Sequence, residues 1–196
     1  MTSGRRSVVI AMLLVPQIAL ARHKPPPTYT ISLPATPDFS PLSWLVGRWS
    51  GRIAGRGPRG TLQLSVNYAL DKRVIIFRER SERQAGQATP PAKESWMGIL
   101  IAPRARQPYT LDVYSSTGFV IRYEVRVTGP EIRFNFSGGP RTPSGWLFRR
   151  TIERTGVSRF TEVVQMAPPG RSFFNYYKAQ FIRATSGQPS SPTASH

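Results

Sequence analysis

Between residues 47 and 183 apolar and polar side chains alternate with a period of two, the signature of strands with one buried face. Leu62, Leu64, Val66, Tyr68 and Leu70 alternate with Thr61, Gln63, Ser65, Asn67 and Ala69. Tyr109, Leu111 and Val113 alternate with Thr110, Asp112 and Tyr114. Phe119, Ile121, Tyr123, Val125 and Val127 alternate with Val120, Arg122, Glu124, Arg126 and Thr128, and Ile132, Phe134 and Phe136 with Arg133, Asn135 and Ser137. Gly- and Pro-rich breaks punctuate these runs at strand spacing, among them Gly55-Arg-Gly57-Pro58, Gly129-Pro130, Gly138-Gly139-Pro140 and Thr155-Gly156. The pattern predicts about ten strands, over 47–56, 60–69, 72–83, 94–102, 108–115, 118–128, 131–137, 145–154, 157–167 and 172–183. One helical turn is expected around Pro41 to Leu45. Short strands joined by hairpins predict an all-β, antiparallel up-and-down meander, and closure into a barrel removes its exposed edges.

The flanks depart from this pattern. Arg5 and Arg6 precede an apolar run from Val8 to Ala21 that ends in Ala19-Leu20-Ala21, a small-x-small site. A charged start, a short apolar stretch and such a site predict a cleaved signal peptide over 1–21. About 14 apolar residues fall short of the roughly 20 that a spanning helix requires, so no transmembrane anchor is expected after cleavage. The protein is expected to be exported, to the periplasm or beyond. Residues 22–41, with the run His23-Lys-Pro-Pro-Pro27, predict a Pro-rich linker, 42–184 the barrel, and 185–196 a disordered tail.

Composition narrows the chemistry. The chain has no Cys and only two His, His23 and His196, both in the flanks. Zinc-thiolate sites, thiol nucleophiles and disulfides are excluded, and a core histidine for metal, haem or a catalytic triad is lacking. No metal site and no cofactor are expected. The net charge is +17, carried by 27 basic residues against 10 acidic ones. Such an excess suits polyanionic partners, but the arginines are spread along the chain, which also describes an ordinary solvated surface. Export argues against a specific nucleic-acid role and leaves an anionic envelope polymer as the polyanion to consider.

The segment Leu42-Ser-Trp-Leu-Val-Gly47-Arg-Trp49-Ser-Gly51 resembles the opening of lipocalin-like (calycin) barrels, and is similar to that of nitrobindin-like and related bacterial secreted barrel families. In calycins an Arg from the last strand packs across that Trp, and Gln180-Phe181-Ile182-Arg183 places Arg183 for the role. The resemblance spans about residues 42–184 and implies Gly47, Trp49 and Arg183 as a structural signature. Nitrobindin-like barrels hold haem through a barrel histidine; this barrel sequence has none, so that function does not come with the likeness.

Alternation from Trp49 and Arg183 places Phe173, Asn175, Tyr177, Ala179 and Phe181 inside. Asn175 and Tyr177, with Tyr68 and Trp96, are the candidate ligand-binding residues of the interior; they serve equally as satisfied core residues. Arg78 and Arg80 share one face of their strand, Glu79 the other, and the sequence leaves open which face is inside. A buried charge there requires a charged partner. Arg149, Arg150 and Arg154 form the densest basic group and are the candidate anion-binding residues, or else a solvated face. Three functions follow: a binding barrel for a small apolar or amphipathic ligand without catalysis; an interaction protein using its basic surface on envelope polyanions or a protein; and an enzyme whose acid–base groups would be drawn from Glu79, Glu94, Asp112, Glu162 and tyrosines.

Overall fold

The computed structural model describes residues 35–54, 59–84, 92–103 and 107–184. The signal peptide expected at 1–21, most of the linker expected at 22–41 and the tail expected at 185–196 lie outside the described residues. A 3-10 helix, Ser40–Leu45, precedes ten strands: β1 (Gly47–Ala54), β2 (Gly60–Ala69), β3 (Val74–Arg83), β4 (Ala92–Ile101), β5 (Tyr109–Ser115), β6 (Val120–Thr128), β7 (Glu131–Arg141), β8 (Leu147–Gly156), β9 (Arg159–Ala167) and β10 (Phe174–Arg183). Every strand pairs antiparallel with its sequence neighbour, and β1 pairs with β10 to close the barrel. The all-β, ten-stranded barrel is therefore the architecture. No helix among the described residues is long and apolar enough to cross a membrane.

Because the chain simply goes up and down, odd strands start at one end of the barrel and even strands at the other. The helix plugs the end where β1 starts. Leu42 and Leu45 are buried there, as is Phe39, whose ring lies 5.9 Å from Tyr109 and 6.4 Å from Tyr68. Above the plug the lower half is filled by Trp49, Phe77, Phe134, Phe160 and Phe181. Trp49 meets Phe160 edge-on at 4.8 Å, and its indole N–H donates to the Leu45 carbonyl at 2.8 Å.

Arg183 closes the seam between first and last strands. Its guanidinium lies 4.3 Å from the Trp49 ring centre and donates to the Val46 and Trp44 carbonyls at 2.8 and 2.6 Å. Gly47 leaves room for it: its φ is +138°, and a Cβ there would stand 2.4 Å from Arg183 Nη1.

Two local features depart from simple alternation. The Gly138-Gly139-Pro140 break is not a turn, and β7 continues through it to Arg141 with a register shift against β6. Gly139, at φ +150°, brings its backbone so close to Val120 that a Cβ would stand 2.1 Å from the Val120 carbonyl oxygen. In β10 the register against β9 slips between Asn175 and Tyr177. Ala179 and Phe181 are buried as alternation requires, but Asn175 and Phe173, beyond the slip, are exposed.

Candidate functional site

Packing is complete only at the plugged end. At the open end the barrel holds a cavity of about 190 Å³. Its apolar wall includes Trp96 from β4, Val113 from β5, Ile121 and Tyr123 from β6, Phe148 from β8 and Val164 and Met166 from β9. Its polar surface comes from Glu79, Arg150 and Tyr177 deep inside and from Arg83, Glu94 and Tyr176 at the mouth.

The deep group is ionic. Glu79, Arg150 and Glu162 are all buried, at 3, 6 and 0% exposure, in a barrel otherwise lined by apolar side chains. Local pattern puts them there. Arg150 lies between inward Phe148 and Ile152 on β8, Glu162 between Phe160 and Val164 on β9, and Glu79 follows Ile75 and Phe77 on β3. The Arg150 Nε meets Glu162 Oε1, and its Nη2 donates to Glu79 Oε2 at 3.4 Å. The Tyr177 hydroxyl stands between the two carboxyls, 3.5 Å from Glu79 Oε1 and 3.4 Å from Glu162 Oε1. The guanidinium also lies 4.5 Å from the Trp96 ring centre and 5.4 Å from that of Phe134. One oxygen, Glu162 Oε2, is buried without a hydrogen-bond partner.

One cation cannot neutralise two carboxylates in a dry interior. Burial pushes the Glu162 carboxyl up to about 8, against the pull of Arg150. Burial also raises Glu79, opposed by Arg150 and by hydrogen bonds from Trp96 and Tyr177. Burial pulls Arg150 the other way, but the Glu162 and Glu79 charges outweigh it and the guanidinium stays charged. Burial, then the two carboxylates, holds Tyr177 well above its ordinary value. Burial pushes Tyr123 to about 12. Burial and the mutual repulsion of the two carboxyls thus favour a proton held between them.

An acid whose folded pKa lies above its unfolded value binds more protons folded than unfolded. Stability is therefore full below about 4.5 and falls as pH climbs toward about 8. Thermal melts between pH 5 and 8 are expected to lose up to about 1 kcal/mol per pH unit from this source. Glu162→Gln, which keeps the shape and cannot ionise, is expected to flatten that slope; an unchanged slope would place the proton elsewhere.

At the mouth Arg83 bridges Glu94 and the Tyr176 hydroxyl, with its guanidinium 5.0 Å from the Tyr176 ring centre. Among the described residues no group of three or more His, Asp or Glu side chains converges to hold a metal.

Of the residues singled out in the sequence, the cavity brings together Trp96, Tyr177, Glu79, Glu94 and Arg150. Tyr68 belongs to the plugged end, against Phe39, because β2 runs away from the mouth. Asn175 is exposed and accepts a hydrogen bond from Gln165 at 2.9 Å, since the β10 slip turns it out of the barrel. Arg149, Arg150 and Arg154 do not form one group. Strand alternation sends Arg150 inward and Arg149 outward, where it donates to Gln165 at 2.9 Å and covers the Phe173 ring at 4.2 Å. Arg154 reaches the plug, 5.5 Å from the Trp44 ring centre. Asp112 pairs with Arg122 on the exterior, at 2.6 and 2.8 Å. Arg150 as a partner of Glu79 and Glu162 was missed, although its place between Phe148 and Ile152 carries the signal.

Solved structures share this barrel at low identity. Rv2717c from M. tuberculosis is 20% identical, with a TM-score of 0.56 over 74% of this chain and 96% of that one. The S-type phycobiliprotein lyase CPES from Guillardia theta is 11% identical, with a TM-score of 0.50 over 74% of this chain and 91% of that one. Both likenesses support the lipocalin-like barrel and speak to fold alone. No protein-family model and no curated protein sequence matches the chain.

Proposed function

We propose that the protein is an exported barrel that binds a small amphipathic molecule in the open half of its interior. The observation that carries the reading is the cavity itself, with aromatic walls above a buried polar floor, in a barrel whose other end is filled by buried aromatic and aliphatic side chains. An apolar cavity of about 150 Å³ accommodates a molecule of benzene size, so about 190 Å³ suits one ring with a short substituent. Export rests on the Arg5-Arg6 start and the Val8–Ala21 run.

Mass spectrometry of natively purified protein is expected to find a co-purifying small molecule, and calorimetry to detect binding of 2-phenylethanol as a neutral probe. Val164→Phe, which fills the cavity from its wall, is expected to abolish both while the protein still unfolds cooperatively. Equal binding by parent and variant would remove the cavity from consideration.

An enzymatic reading gains from one observation, the convergence of Glu79 and Glu162 on Arg150 beside Tyr177. It requires conversion of the captured molecule on incubation, lost in Glu79→Gln. Binding is the better-supported reading, because the cavity by itself carries it, whereas a reaction also requires a substrate on which the Glu79 carboxyl acts.

A further inference from the structure

The charge inside the barrel opposes the charge of the chain. The protein carries +17 overall, yet Glu79, Glu94 and Glu162 in and beneath the cavity face only Arg83 and Arg150. Arg83 and Glu94 satisfy each other at the mouth. That leaves one guanidinium between two buried carboxyls.

The two carboxyls are not equivalent. Glu162 lies beneath the cavity with one oxygen directly against Arg150 Nε. Glu79 lines the cavity, and its contacts to Arg150 and Tyr177, at 3.4 and 3.5 Å, sit at the outer limit of hydrogen bonding. Trp96 also donates to it, and a carboxylate has about four lone-pair sites, so this cavity-lining group accepts fewer hydrogen bonds than it can. Around that space stand the rings of Trp96, Tyr123, Phe148, Tyr176 and Tyr177, and aromatic faces attract cations.

Resting on the binding function above, we propose that the ligand is a small organic cation, a ring-sized molecule whose ammonium group pairs with the Glu79 carboxylate while its apolar body lies against the aromatic wall. An anionic head would have to take Arg150 from Glu79 and then sit beside two buried carboxyls. A neutral head would leave the charge imbalance untouched.

The empty cluster resolves its imbalance with a proton; the ammonium group takes that proton's place and the proton leaves to solvent. The groups facing Glu79 are Arg150 on β8, Glu162 on β9, Tyr177 on β10, and Trp96 and Glu94 on β4, with Tyr123 on β6 facing Arg150 and Glu162. Among them burial raises the carboxyls of Glu79 and Glu162, and these are the groups that hold the proton the ligand displaces. Affinity therefore rises as pH climbs from 6 toward 8, and proton release accompanies binding.

The test compares three probes of matched shape, phenethylammonium, 2-phenylethanol and 3-phenylpropionate, by titration calorimetry on the full chain in phosphate and in Tris at pH 7. Phenethylammonium is expected to bind about tenfold more tightly than the alcohol, with a heat that differs between buffers by the release of about one proton. Glu79→Gln is expected to erase that preference, so that phenethylammonium and 2-phenylethanol bind with similar affinity, and to remove the buffer dependence of the heat. Should this variant fail to fold, the buffer dependence in the parent protein decides alone. Equal or tighter binding of the alcohol or the carboxylate overturns the cationic ligand and leaves the binding barrel standing. No binding of any of the three overturns both.

Discussion

Arg150→Met is expected to lower stability by about 3–5 kcal/mol at neutral pH, the range for stripping one partner from a buried ion cluster. Met fills much of the same space against Trp96 and Phe134, so packing is largely kept and the cost is electrostatic. Glu79 and Glu162 would face each other with no cation between them. Urea unfolding reads the loss as a lower midpoint at unchanged slope. The loss should grow as pH rises, because the second proton that rescues the pair must then be taken from a more alkaline solvent. Adding Glu79→Gln and Glu162→Leu to Arg150→Met should restore most of the stability, since replacing a whole buried ion cluster by neutral groups is often close to neutral. A stable Arg150→Met single variant would mean the cluster is wetter and looser than its burial indicates.

Trp49→Ala is expected to cost about as much, roughly 3–5 kcal/mol, by a different route. The indole is 1% exposed, packs edge-on against Phe160 and holds the plug through Leu45. Its removal leaves a void that the rigid barrel wall cannot close. It also takes the aromatic face from under Arg183. Arg183→Met should cost less, about 1–3 kcal/mol, for the lost cation–π contact and the hydrogen bonds to Val46 and Trp44. The two changes together should fall short of their sum, because each removes the same contact. Strict additivity in denaturant midpoints would show that Arg183 acts on the plug carbonyls alone.

The barrel was legible because a half-buried strand writes its geometry into every second residue. Leu62, Leu64 and Val66 could be placed on the inner face with no knowledge of their partners, and the resemblance to calycin barrels implied the seam between Trp49 and Arg183. The site was harder to read because it is built from exceptions to the same rule. Glu79, Arg150 and Glu162 occupy apolar-face positions on three strands far apart in sequence. On its own strand each is a lone charge on an otherwise apolar face, and only the closed sheet turns three such exceptions into one cluster. Arg150 was obscured by its neighbours, since Arg149 and Arg154 made the stretch look like a basic surface. Asn175 was misplaced for a different reason: a one-residue slip in β10 leaves no trace in composition, and it reverses every facing beyond it.

The even number of strands has a practical corollary. The chain enters β1 and leaves β10 at the plugged end, where the Ala184 amide donates to the Arg48 carbonyl at 2.9 Å. The mouth therefore carries neither point of attachment. A sensor made from this barrel can be held from the side where β1 starts and β10 ends, with its aperture facing the sample.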